Sequence, residues 1–347
     1  MFPNFRRPAR FSAGFSLIEI LVGVGIGMIG IVVIMQVFTL SEGQRRSTSG
    51  ADDATSTGAI ALHTLQRDIR QGGYGIASTG LLGCNLTFPA GSTVLAAPVA
   101  INPPGIPAGD ANTDVIAVVY GNANSAAEGD RVTSHIAGST TMQVQTQTNF
   151  ITSDWVVAEP QTRPVPCNLT MTQTIVGGTL SVTTAPAASM TGGMLYNLGQ
   201  APRLLVYAIR NGNLTQCDFR VNNCAAAGST GNTAVWSPIA ENVVMLRAQY
   251  GRDATVPMDG VADVWDQTAP ITACDWARAS AVRLALVARN SQYDKDMVTA
   301  AAPGWAGDAG AAIDLSGNGE WQHYRYKTFQ TVIPIRNVAW MGVPSTC

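Results

Sequence analysis

Residues 14–40 read GFSLIEILVGVGIGMIGIVVIMQVFTL, and this stretch decides the architecture. From Ile20 to Leu40 only Gln36 and Thr39 are clearly polar. At ~1.5 Å rise per residue, such a run spans a ~30 Å hydrocarbon layer as a helix. Arg6, Arg7 and Arg10 precede it, and Arg45 and Arg46 come after it. By the positive-inside rule the start stays in the cytoplasm and the remainder faces the other side of the membrane. An ordinary secretory signal would place small residues of a cleavage site beyond its apolar stretch, and nothing of that kind is found after Leu40.

The notable residues lie on the near side: Gly14, then Phe15, then Glu19 at the edge of the apolar run. A carboxylate close to the bilayer core costs roughly 2.5 kcal/mol or more unless it finds a partner, so Glu19 demands a functional account. Gly25, Gly27 and Gly30 form G-x-G-x-x-G, but no strand precedes them and their flanks are membrane-grade, which excludes a dinucleotide loop. Gly23 and Gly27 form G-x-x-x-G, which suits close helix packing.

The string GFSLIE, with its basic leader and apolar helix in register, resembles the type III signal of type IV pilins and pseudopilins. The resemblance implies that a prepilin peptidase cuts after Gly14 and methylates Phe15, which leaves an α-amino group of unperturbed pKa about 7.7 to 8.0, mostly protonated at neutral pH, and that Glu19 pairs with that amine of a neighbouring subunit during assembly. The alternative is a pair within one chain, since Phe15 and Glu19 are four apart and share a face on a helix. HTLQRDIRQGGYGIA (63–77), ENVVMLRAQYG (241–251), ASAVRLALVARN (279–290) and YRYKTFQTVIPIRN (324–337) are similar to the PilW family of minor pilins. That family implies a subunit inserted in the bacterial inner membrane, with a periplasmic C-terminal domain, that primes pilus assembly and enters the pilus. Its implied partners are the prepilin peptidase, other minor pilins and the major pilin, the inner-membrane assembly platform and a tip adhesin. A type II secretion pseudopilin shares the leader and stands as the alternative. A tip adhesin or DNA-uptake module is an alternative of another class.

Beyond the membrane segment, the helix is expected to continue to about Arg70. Leu62, Leu65 and Ile69 form a core-facing stripe, with His63, Arg67, Asp68 and Arg70 on other faces. Gly72 and Gly73 stop it, and Gly43, Gly50 and Gly58 are candidate bends. The chain from 80 to 235 is rich in Gly, Pro, Thr and Asn, with β-like runs at 114–120, 140–147 and 203–209. The expected fold class is therefore α+β: a long N-terminal helix packed on a mainly antiparallel, pilin-like β domain. The divisions are a leader (1–14), a transmembrane and assembly helix (15–40), an amphipathic stem (41–71) and a globular domain (72–347), with 80–235 as an inserted β lobe.

The chain's 347 residues are 46% hydrophobic and 13% charged, enough apolar content for a large core. The net charge of -2 gives no basic surplus for nucleic acid, and none is predicted as a partner. Cys84, Cys167, Cys217, Cys224, Cys274 and Cys347 all lie beyond the apolar segment and include no C-x-x-C, which suits an oxidising compartment. Cys217 and Cys224 flank a stretch short enough to turn back, and they are expected to pair; the other pairings are open. His63, His135 and His323 stand in no metal or catalytic pattern, and no G-x-S-x-G elbow is present, so neither an enzyme nor a cofactor is expected. Asp314, Asn318 and Glu320 in DLSGNGE resemble the start of a calcium loop, but Arg325 takes the place of its closing glutamate and favours a plain turn.

Overall fold

The fold is that of a computed structural model, which describes residues 14–76, 78–88, 92–123, 128–307, 310–339 and 347. Residues 1–13 of the expected leader lie outside these, as do parts of the loops at 121–130 and 300–312. The chain divides into two units, Met1–Gly50 and Ala51–Cys347.

Helix α1 (Leu17–Gln71) is continuous across the division. Ser16 opens it: its carbonyl accepts the Glu19 and Ile20 amides at 3.0 and 3.2 Å. Acidic Glu19 in the first turn and basic Arg70 in the last complement the helix dipole. In the first unit the large apolar side chains of 15–40 are all exposed, Phe38 by 74% and Ile26 by 66%. This is a helix long and apolar enough to cross a membrane.

In the second unit the helix buries Ala54, Gly58, Ala61, Leu65, Asp68 and Ile69, a stripe at helical spacing that runs from small to large residues. The reading that placed Asp68 on a polar face is thus corrected: it is fully buried, while Leu62 is only partly so. Gly58 has a packing role instead: it admits the ring of Phe329, whose Cε2 would lie 2.0 Å from a Cβ built there. At the C-terminal end the Gly72 amide still bonds Asp68 O at 3.0 Å, and Gly73 turns the chain away at φ +86°.

Three sheets complete the chain. Strands β3 (Val99–Ile101), β4 (Ile116–Tyr120), β11 (Arg203–Arg210), β12 (Asn213–Asp218) and β13 (Ser237–Ala240) form one in the order β13-β12-β11-β4-β3. A second joins β14 (Val243–Arg252), β15 (Val264–Asp266), β16 (Ala279–Arg289) and β17 (Tyr326–Pro334) as β15-β14-β16-β17, all antiparallel. Two short helices flank this sheet, α2 (Ala273–Arg278) leading into β16 and α3 (Arg336–Ala339) leaving β17. Leu65 and Ile69 share one core with Val118, Val206, Leu246, Leu284 and Ile333 from both sheets.

The third sheet contains β1 (Asn85–Thr87), β2 (Thr93–Leu95), β5 (Asp130–His135), β6 (Thr141–Val144), β7 (Trp155–Glu159), β8 (Asn168–Val176), β9 (Leu180–Val182) and β10 (Met194–Gly199). Its order is β2-β1-β8-β7-β10-β5-β6-β9, and a further β8–β9 pairing closes the last six into a small barrel. The barrel has its own core of Val132, Met142, Phe150, Val156, Leu180, Val182 and Leu195. The lobe expected over 80–235 is therefore not one segregated body. Its ends, β3–β4 and β11–β13, belong to the sheet that packs on α1, and the separate core runs only from 132 to 195. At the end of β5, His135 Nδ1 accepts the Met190 amide at 3.1 Å, so Nε2 carries the proton and donates to Ser139 O at 3.0 Å.

Candidate functional site

The chemistry-bearing residues fall into an N-terminal group, a buried clasp and a basic cleft. In the first, Gly14, Phe15 and Ser16 precede the helix, Phe15 is 81% exposed and Glu19 is exposed. Because α1 begins at Leu17, Phe15 and Glu19 are not four apart on one helix here, and the intrachain pairing that spacing allowed lacks its helical frame. Nothing lies within 4 Å of a Cβ built at Gly14, Gly23, Gly25, Gly27 or Gly30, so in the isolated chain the glycines relieve no crowding. The helix surface they share with exposed leucines, isoleucines and valines has no partner within the first unit.

The clasp holds the other half of α1. Asp68 Oδ1 accepts the Tyr120 hydroxyl at 3.1 Å and Arg67 Nε at 3.0 Å, and Oδ2 accepts the Tyr207 hydroxyl. Gln216 Nε2 donates to the same Tyr207 oxygen at 3.1 Å. Burial first, and then the charge of Asp68, push both phenols above their ordinary pKa, so they stay protonated donors. The hydrogen bond to Asp68, then its charge, raises Arg67 in turn. A buried carboxylate is tolerated where several donors surround it, and here two strands supply the donors and the helix supplies the acid. Gln66 Nε2, at 2.8 Å from Thr331 Oγ1, ties the helix to β17 as well.

Beside the clasp opens a cleft of about 840 Å³, walled by Arg67 and Arg70 from the end of α1, Tyr74 in the turn after it, Tyr120 at the end of β4, Asn122 beyond it, Arg203 on β11 and Asn337. Three guanidiniums line it, and among the described residues no carboxylate does. Asn337, on α3, caps the exit of α1 by donating to Gln71 O and Gly72 O at 3.0 and 2.9 Å.

Three disulfides brace the second unit: Cys84–Cys167, Cys217–Cys224 and Cys274–Cys347. The first links the turn after α1 to the strand entering the barrel. The last joins α2 to the final residue. In the expected calcium-like loop, Asp314 Oδ1 accepts the Ser316 amide at 2.9 Å and Oδ2 accepts Asn112 Nδ2 at 2.8 Å. Glu320 lies in the left-handed region at φ 51° beside the 3₁₀ turn at Trp321–His323. Among the described residues no group of three or more His, Cys, Asp or Glu converges on one point.

The clasp and the cleft were not visible from the sequence. Asp68 lies between stripe residues Leu65 and Ile69, which is a signal, but its tyrosines are 52 and 139 residues away.

Residues 206–337 match the family model described as Type IV Pilus-assembly protein W. No curated protein and no solved structure matches the chain. The matched part runs from within β11 to α3 and holds the whole β14–β17 sheet, whereas α1 and the barrel lie outside it. Over that part the chain is similar to PilW proteins, which supports an association with type IV pilus assembly.

Proposed function

We propose that the chain is a minor pilin of PilW type, cut after Gly14, methylated on Phe15 and built into a pilus through residues 15–40. The observation that carries this reading is one helix with two kinds of surface. Residues 15–40 expose an unbroken apolar face with a lone acid, Glu19, in the first turn. One stripe of residues 54–69 of the same helix is buried against a β domain and held there by Asp68. A membrane anchor alone needs the first surface and not the acid, whose insertion is unfavourable by roughly 2.5 kcal/mol. Subunit packing in a filament uses both: apolar faces bury one another, and the acid meets an amine made by cleavage.

On this reading the protein waits in the inner membrane with its C-terminal domain in the periplasm. The prepilin peptidase, the assembly platform, the other minor pilins, the major pilin and a tip adhesin are its partners, and the barrel of β5–β10 is an insertion into a pilin-like plan. A type II secretion pseudopilin would share the leader; the PilW match over 206–337 favours the pilus. N-terminal sequencing of the protein from membranes tests the reading. A mature chain that starts at Phe15 is expected, and one that starts anywhere else overturns it.

A further inference from the structure

The cleft at the end of α1 concentrates positive charge in a chain that has 23 acidic and 21 basic residues. Arg67, Arg70 and Arg203 are all exposed on its walls. Arg67 pairs with Asp68, but neither Arg70 nor Arg203 pairs with a carboxylate among the described residues. Asp68 cannot serve them. It is fully buried, and both of its oxygens already accept hydrogen bonds from Tyr120, Tyr207 and Arg67. The uncharged lining adds a donor too: Asn122 Oδ1 accepts the Ala201 amide at 3.0 Å, which leaves the Asn122 amide hydrogens for a ligand.

We propose that this cleft is a docking site for an acidic segment of another protein subunit, whose Asp or Glu side chains enter between Arg70 and Arg203. Guanidiniums present paired N–H groups that match a carboxylate bidentately, and a concave wall concentrates their field. The volume, about 840 Å³, accommodates several side chains and far exceeds a single phosphate. A nucleic acid strand would call for a basic track continuing beyond the cleft, and the net charge of -2 supplies no such surplus. The proposal rests on the minor-pilin reading only for its source of partners, since a filament subunit meets other subunits. The cleft lies in the second unit and involves neither Phe15 nor Glu19.

The test uses the full-length protein in detergent and tracks a fluorescein-labelled hexaglutamate peptide by anisotropy. Inorganic phosphate and a single-stranded oligonucleotide serve as competitors, and hexalysine as the opposite-charge probe. Hexaglutamate is expected to bind, to weaken with salt, and to weaken by about tenfold or more on Arg70→Glu or Arg203→Glu. The double reversal should gain hexalysine binding, and phosphate at equal charge should not displace the peptide. Both arginines are exposed, so the urea midpoint should not move; Arg70→Gln and Arg203→Gln replace the reversals if it does. No hexaglutamate binding, binding indifferent to these variants, full displacement by phosphate, or tighter binding of the oligonucleotide overturns the proposal. Each readout is independent of cleavage at Gly14 and of recovery in pili, so failure here leaves the minor-pilin reading standing, and the converse holds.

Discussion

Asp68 on α1 accepts the phenolic hydrogen of Tyr207 on β11 across 139 residues of sequence, with both side chains fully buried. Tyr120 brings a second strand to the same carboxylate. The helix is thereby keyed to one position on the sheet, because sliding by a turn would strand an acid and two hydroxyls in the core. Asp68→Ala removes the shared acceptor and leaves both phenolic hydrogens without one, at about 1 to 3 kcal/mol each. Asp68→Asn keeps one oxygen and should fall between wild type and alanine. In a urea titration of the full-length protein in detergent, Tyr207→Phe should add little once Asp68→Ala is present. Full additivity of the two substitutions would show that the bond does not hold the helix.

Gly58 yields a sign test. In an exposed helix, Gly→Ala stabilises by about 1 kcal/mol. Here a Cβ would sit 2.0 to 2.7 Å from three ring atoms of Phe329. Overpacking of this kind costs about 1 to 3 kcal/mol, so Gly58→Ala should lower the urea midpoint. Phe329→Ala should make the same substitution neutral or favourable. If Gly58→Ala stabilises the wild-type background, the close approach of α1 to β17 is wrong.

The parts of this architecture that were legible in the sequence are those written in local pattern. The apolar run of 20–40, the stop at Gly72 and Gly73, and the β-like runs at 114–120, 140–147 and 203–209 that contain β4, β6 and most of β11 each signal themselves within one or two dozen residues. The barrel did not: β8 and β9 form a local hairpin across 177–179, but closure also needs β9 to pair with β6 some 38 residues away, a register that no short stretch encodes. Gly58 read only as a candidate bend because the residue that fills its space, Phe329, lies far along the chain. Asp68 read as surface because a charge on a stripe has no visible partner until Tyr120 and Tyr207 are folded against it. The basic cleft gathers Arg67, Arg70 and Arg203 in the same way, from segments that the sequence leaves far apart.

The three disulfides should differ in worth by the length of chain they close. Cys84–Cys167 spans 83 residues and Cys217–Cys224 only 7. Chain-entropy estimates give about 4.5 kcal/mol for a loop near the first length and about 2.5 for one near the second. Replacing both cysteines of each pair by serine and comparing denaturation midpoints should therefore rank Cys84/Cys167 as the larger loss. The reverse order would place the stabilisation in native packing around the fully buried Cys224 and nearly buried Cys217 rather than in the unfolded chain.

Glu19 separates assembly from mere helix stability by magnitude. As a first-turn acid it contributes about 0.3 to 1 kcal/mol through the helix dipole, and a pair with Phe15 on one helix would add only about 0.2 to 0.5. Neither is enough to exclude a subunit from a filament. Its removal should ease insertion, since an uncompensated charge leaves the membrane. If the carboxylate meets the amine of a neighbouring Phe15, Glu19→Val should still be cleaved after Gly14, accumulate in membranes at wild-type level and be absent from sheared pili. Glu19→Asp, which keeps the charge on a shorter arm, should be recovered in part. Comparing the membrane and sheared-pilus fractions of the three proteins, with the N-terminus sequenced in each, distinguishes the readings. Wild-type recovery of processed Glu19→Val in pili would refute the intersubunit role.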